Sequence, residues 1–251
     1  MWTLLKNFTD ARVALGKSGV SVLTKTYLEF SYAHAQAKDA VWSSLSEDFI
    51  NVLEKYYPEI DFLKLSTMAK SREQYLLRPD LGKMLDQDSL RALQQIPKST
   101  KITIAIADGL SAAAIELNAL PFLETFIPLI RNSGVDIHTI PVIHQGRVAV
   151  SDEIGELLGS ELVVLLVGER PGLSASDSMG IYFTYNPTKG STDEKRNCIS
   201  NIRKKGLSPE MAAYKTAYLV SEALKNKIGG VALKDTFNPQ IYLQMKKELL
   251  K

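Results

Sequence analysis

The chain has 251 residues, 45% hydrophobic and 23% charged, the balance of a soluble globular protein rather than a disordered or fibrous one. Its 30 basic and 28 acidic residues leave a net charge of +2, which gives no electrostatic ground for binding nucleic acid or anionic lipid. A single cysteine excludes an internal disulfide and a multi-cysteine zinc site, no apolar run reaches membrane-spanning length, and the first ten residues lack the pattern of a secretory signal.

Near the start, Gly16-Lys17-Ser18 invites a phosphate-loop reading, but Ala11 stands where the first glycine of that motif belongs and no strand precedes it. The segment reads instead as a basic loop that meets a partner. Leu23, Tyr27, Phe30, His34, Ala37 and Val41 then recur at spacings of three and four, which predicts a helix over residues 24–42 with His34 packed on its apolar stripe. A metal-binding role for His34 would need a second ligand one turn away, and Phe30 and Lys38 occupy those positions. A second helix is predicted over residues 46–57, a short strand over 61–67, a turn-rich stretch over 68–86, and a helix over 89–96 opened by Asp88. Residues 1–98 thus form a helical N-terminal region.

Residues 99–251 read as an α/β domain. The run Ile102 to Ala107 predicts a strand, followed by an Asp108-Gly109 turn and a long helix from Ser111 that must bend near Pro121. Asp108 either caps that helix or forms a polar post at the mouth of a ligand crevice. Residues 136–142 predict the next strand. Asp136-Ile137-His138 resembles the start of the motif by which some cobalamin enzymes place a histidine on cobalt, but Pro141 occupies the required glycine position. Asp152 caps a predicted helix that ends at Gly159. The unbroken apolar run Leu162 to Val167 reads as a strand covered on both faces, as in parallel sheets. It exits through Gly168, Glu169 and Arg170 to a Pro171-Gly172 turn, and the carboxyl ends of such strands are where open α/β sheets bind ligands. Glu169 is therefore a candidate ligand contact; the alternative makes it a structural partner, for example of Arg170 or Arg147. Residues 181–185 alternate as a strand. Residues 186–206 are polar and aperiodic, reading as a binding or partner-facing loop. A helix from Pro209 to about Lys227, a last strand over 229–235 and a final helix over 239–250 complete the chain.

No serine sits in a nucleophile elbow, Cys198 has no histidine near it in sequence, and the three histidines lack metal-ligand spacing. Residues alone point to a ligand- or partner-binding subunit rather than a complete enzyme.

Several blocks carry a resemblance when read together: Ala11-Arg-Val-Ala-Leu-Gly-Lys-Ser-Gly19, Ala33-His-Ala-Gln-Ala-Lys-Asp-Ala-Val41, Ala107-Asp-Gly-Leu-Ser111, Gln145-Gly-Arg-Val148, Asp152-Glu-Ile-Gly-Glu-Leu-Leu-Gly159, Gly168-Glu-Arg-Pro-Gly-Leu-Ser174 and Arg196-Asn-Cys-Ile-Ser-Asn201. From about residue 10 to about residue 235 the chain resembles the small subunit (light chain) of ethanolamine ammonia-lyase. The resemblance implies a Rossmann-like parallel-sheet domain that covers the lower face of adenosylcobalamin, bound base-on at the interface with a TIM-barrel large subunit that converts ethanolamine to acetaldehyde and ammonia. It also implies six large and six small subunits, no nucleic acid or membrane partner, and a cytoplasmic location, in some relatives inside a bacterial microcompartment. The family's cobalamin contacts fall on Val148, Glu169 and Cys198: apolar surface, a hydrogen-bond acceptor and a small side chain that permits close approach. The other reading is a stand-alone nucleotide- or cofactor-binding module.

Overall fold

The computed structural model describes residues 2–9, 11–13, 15–98 and 101–249. Among them run helix α1 (Thr24–Trp42), α2 (Glu47–Tyr56), strand β1 (Lys64–Ser66), α3 (Arg72–Leu77), α4 (Gln87–Gln94), β2 (Ile102–Ala107) and α5 (Ala112–Asn132). They continue with β3 (Val142–His144), α6 (Val150–Leu158), β4 (Leu162–Gly168), β5 (Met179–Tyr185), β6 (Arg196–Ile202), α7 (Pro209–Asn226) and α8 (Pro239–Leu249).

One six-stranded sheet has the order β1-β3-β2-β4-β5-β6. Its first four strands are parallel, whereas β4–β5 and β5–β6 pair antiparallel, so the parallel sheet expected from the sequence is in fact a mixed one. The physical reason is the short excursion after β4: a tight turn closed by Gly172 and Ala175 leaves no room for the crossover that a parallel neighbour requires. Strand β1 draws the first hundred residues into the sheet through its pairing with β3.

All seven residues of β4 are buried, as its apolar run demands. Its period of two divides them between the two sides. Ile102, Ile104, Ile106, Leu162, Val164 and Leu166 meet Phe122, Phe126 and Ala213 of α5 and α7. On the other side, Ala105, Leu165 and Val167 meet Leu93 of α4 and Ile154 of α6. Helix α5 is long and apolar enough to cross a membrane, but Ile115, Phe122, Phe126 and Ile130 are buried in this core.

Several local expectations change. Residues 136–141 carry only an isolated bridge, Thr139 with Asp61, and the ladder proper begins at Val142. Within the aperiodic 186–206 stretch lies β6, an edge strand whose exposed residues hide its alternation. The strand expected over 229–235 is a single 3-10 turn, Gly230–Ala232. There Gly230 has φ +58° and exchanges hydrogen bonds with the Asn197 amide, which holds it out of any ladder. The cap of α4 is Asp86 rather than Asp88, and Asp152 lies inside α6 rather than capping it. Asp152 instead pairs with Arg196 of β6, both side chains being almost wholly buried.

Helix α1 forms where predicted, but its stripe does not become a core face. His34 is exposed and stacks loosely on Phe30, with ring centroids 6.3 Å apart, and Ala40 is the one buried residue of the helix.

Candidate functional site: a crevice at the carboxyl ends of the parallel strands

After β2 the chain passes to α5 on one face of the sheet; after β3 it passes to α6 on the other. Two neighbouring strands whose exits diverge open a crevice between them, the place where open α/β sheets bind ligands. A cavity of about 370 Å³ lies there, and Tyr75, Arg147, Val148, Val167, Glu169 and Tyr182 are among its lining residues.

The strand exits approach closely because glycines let them. Gly109 has φ +57°, and an added Cβ would sit 2.2 Å from the Gly168 carbonyl oxygen; the Leu110 N–H donates to that same oxygen at 2.9 Å. Asp108 is fully buried and does not cap α5, since Ser111 does so through the Ala114 N–H at 3.2 Å. Its carboxylate accepts the N–H groups of Gln145 (3.0 Å) and Gly146 (3.1 Å) and faces the Arg72 guanidinium at 3.5 Å. Burial pushes the Asp108 carboxyl up, while the Gln145 N–H, Arg72 and the Gly146 N–H pull it back. Asp108 thus departs from both sequence readings: it does not cap α5, and it is wholly buried rather than among the residues that line the cavity.

Asp108 thereby fixes the loop that carries Val148. Gln145 takes a left-handed backbone (φ +60°), a conformation that side-chain-bearing residues adopt only when their surroundings enforce it. The enforcement is visible: the Thr67 hydroxyl donates to Gln145 O at 3.0 Å, the Tyr75 hydroxyl to Gly146 O at 3.0 Å, and the Arg147 N–H to Gly82 O at 2.8 Å. Arg72 and Arg147 both lie over the Tyr75 ring, 4.7 and 4.1 Å from its centroid. Arg72 Nη2 and Arg147 Nε have no hydrogen-bond partner among the described residues, and the cation–π attraction of the ring face offsets part of that loss.

Val148 is half-buried and Glu169 likewise; both line the cavity. Glu169 pairs with neither Arg170 nor Arg147. Its Oε2 accepts the Ser178 hydroxyl at 2.6 Å and the Asn201 N–H at 3.3 Å, while its own N–H donates to Ser178 O at 3.0 Å. Its Oε1 lies over Gly180, where an added Cβ would come within 2.9 Å. No hydrogen-bond donor to Oε1 is found among the described residues.

Cys198 is exposed on β6 and lies directly across from Tyr182 of β5, whose ring lines the cavity. Desolvation by its surroundings pushes the thiol up, and the hydrogen bond with Tyr182 moderates this. Burial likewise raises the Tyr182 phenol. The structure so brings Val148 and Glu169 to one cavity and sets Cys198 at its border. Sequence reading missed Tyr75, Ser178 and Tyr182. The alternation of β5 held a signal for Tyr182, which falls between core-facing Ile181 and Phe183; nothing local marked Tyr75. His138 lies beside Asp61, away from the crevice, and no group of three metal-ligating side chains occurs among the described residues.

The family model for the ethanolamine ammonia-lyase light chain matches residues 1–234. The chain is 47% identical over 239 residues to the ethanolamine ammonia-lyase small subunit of Pseudomonas putida strain GB-1, covering 93% of this chain and 87% of that one. It is 46% identical over 239 residues to that of Pseudomonas fluorescens strain SBW25, covering 93% and 86%. The corresponding subunit of Pseudomonas syringae pv. tomato is 45% identical over 240 residues, covering 93% and 83%. With matches that span the strand exits, the Gln145–Val148 loop and the β5–β6 edge alike, the chain belongs to the family of ethanolamine ammonia-lyase small subunits.

Proposed function

We propose that this chain binds the lower, nucleotide-bearing side of adenosylcobalamin and presents it to the large subunit of ethanolamine ammonia-lyase. The observation that carries this is the convergence of Val148 and Glu169 on one crevice, with Cys198 at its border. The residues fit the tail of the group in kind. Half-buried Val148 and Tyr182 offer apolar surface for an aromatic tail, and Glu169 Oε1 offers an acceptor for a hydroxyl or amide. The cavity of about 370 Å³ is smaller than a corrin ring, so the macrocycle is left for a second chain to cover.

Cobalamin supplies the radical chemistry when bound. The residues of this chain bind and orient: Asp108 and Tyr75 hold the Val148 loop, Ser178 and the Asn201 N–H hold the Glu169 carboxylate, and the small Cys198 side chain permits close approach at the border. Its histidines lie outside the crevice lining, and Pro141 follows the Asp136-Ile137-His138 segment, which supports cofactor binding with its own base on cobalt. In this reading residues 99–251 are the cobalamin-binding domain, with a Rossmann-like parallel half. Residues 1–98 are a helical region toward the partner. The hetero-oligomer has six large, TIM-barrel subunits and six small ones, and acts in the cytoplasm or within a microcompartment.

The test is coexpression with the large subunit, followed by loading with cobalamin and an absorption spectrum of the purified complex. Stoichiometric cobalamin in the complex, with no acetaldehyde formed from ethanolamine by this chain alone, is the expected result. Tight cobalamin binding by the isolated chain, with no large subunit recovered, would replace this reading with the stand-alone module.

A further inference from the structure

Helix α1 is the longest element that the core leaves uncovered. Of its residues only Ala40 is buried, whereas Tyr27 (62%), Leu28 (60%) and Tyr32 (66%) stand in solvent together with Leu23 and Phe30. At about 100° per residue these side chains spread over more than half of the helix circumference, wider than the single stripe of a helix that faces one core. Just before α1, Ser18 and Ser21 close a turn by reciprocal backbone hydrogen bonds of 2.9 and 3.1 Å, and Val20 and Val22 stand exposed there.

This surface is tied down at both ends, and both ties run to the rim of the crevice. Arg12 lies over the Phe30 ring, 5.6 Å from its centroid, and its Nη2 donates to the Leu173 carbonyl in the turn beyond Glu169 and Arg170. At the other end Arg72 Nε donates to Val41 O at 2.6 Å, and Arg72 is the residue that faces Asp108 and stacks on Tyr75. Each side of a stable interface buries roughly 800 Å², and large side chains exposed over successive turns, as here, are what supply such a face. A chain that closes over the crevice must therefore also meet α1.

From this continuity we infer that α1 and the turn before it are the docking face for the large subunit of the lyase, contiguous with the cofactor crevice. The inference rests on the proposed function and deepens it by naming the surface. The occupant is the large subunit rather than a second copy of this chain because the patch runs into the one site that needs a second chain to complete it.

Tyr27→Glu with Leu28→Glu tests it, since glutamate keeps helix propensity while placing charge in the middle of the patch. Wild-type and variant chains are coexpressed with the tagged large subunit; each is also purified alone for thermal midpoint and for mass in solution. The expected result is an unchanged midpoint and at least a hundred-fold weaker association with the large subunit, as befits the loss of two central apolar contacts. Recovery of the variant in wild-type proportion would overturn the inference while leaving the cofactor reading intact. So would a self-dimer of the wild type that the substitutions abolish without affecting large-subunit recovery. Failure of the wild type itself to co-purify would overturn the proposed function and this inference with it.

Discussion

The crevice and helix α1 treat their side chains in opposite ways. Around the crevice, polar and charged groups are buried and bound: Asp108 is inaccessible, Arg72 and Arg147 stack on Tyr75, and Glu169 is held by two donors. On α1, Tyr27, Leu28, Phe30 and Tyr32 are left in solvent. Large polar groups enter an interior only when partners are fixed for them, and a contiguous exposed apolar face, unlike single exposed apolar residues, marks a surface for a partner. The polar groups of the crevice find their partners within the chain, whereas the apolar side chains of α1 do not.

The sharpest break of this comparison is Asp108→Ala. It leaves the Gln145 and Gly146 N–H groups without their acceptor and Arg72 without its counter-charge in a buried setting. Removing one member of a buried pair costs about 3–5 kcal/mol. Chemical denaturation should show a loss of that size, and a change below about 1 kcal/mol, the scale of an ordinary surface substitution, would mean that the loop is held without Asp108.

Glu169→Gln comes next. The amide keeps one acceptor oxygen but loses the charge, and a hydrogen bond to a charged group contributes roughly 1.5–3 kcal/mol. Cobalamin affinity of the reconstituted complex should fall by about ten-fold to a hundred-fold. Gly180→Ala sharpens the result without touching the charge, because its Cβ would sit 2.9 Å from Glu169 Oε1 and displace the carboxylate. Both variants should weaken cobalamin binding; a lowered midpoint with unchanged affinity would reduce Glu169 to a tie between β4, β5 and β6.

A smaller effect is expected of Ser178→Ala. The 2.6 Å hydrogen bond to Glu169 disappears, leaving the Asn201 N–H as the remaining donor, and stability should fall by about 1 kcal/mol. Smaller still is the effect of Tyr32→Gln on the isolated chain. Its side chain is solvated before and after, so the free energy of unfolding should change by no more than about 0.5 kcal/mol. A larger loss would show that α1 is packed within this chain after all.

The comparison extends to Cys198, which is accessible yet not reactive in character. Its thiol titrates above the ordinary range, so it is neutral at pH 7, and the nucleophilic thiolate accumulates only as pH rises through that raised value. Alkylation by iodoacetamide should be slower than that of a free cysteine at pH 7 and should still be rising at pH 9. A plateau reached below pH 8 would indicate a depressed value instead.

Read as a sequence, the chain already discloses the buried strand from Leu162 onward, the β2 exit at Asp108, the long helix behind it and the blocks that carry the family likeness. These are legible because each is local: an unbroken apolar run, a turn pair, a cap, or a short motif in fixed order. What the tertiary structure alone decided is how distant pieces meet. The antiparallel turn after β4, the edge strand β6 hidden in a polar stretch, and the arrival of Tyr75 against Gly146 depend on contacts far apart in the chain. So do the Ser178 and Asn201 donors to Glu169, where local reading looked to the neighbouring Arg170 or to Arg147. The stripe of α1 makes the same point from the other side. Periodicity shows that a face is apolar, but not whether its covering comes from this chain or from another, because burial is a property of the assembled surface and not of the segment.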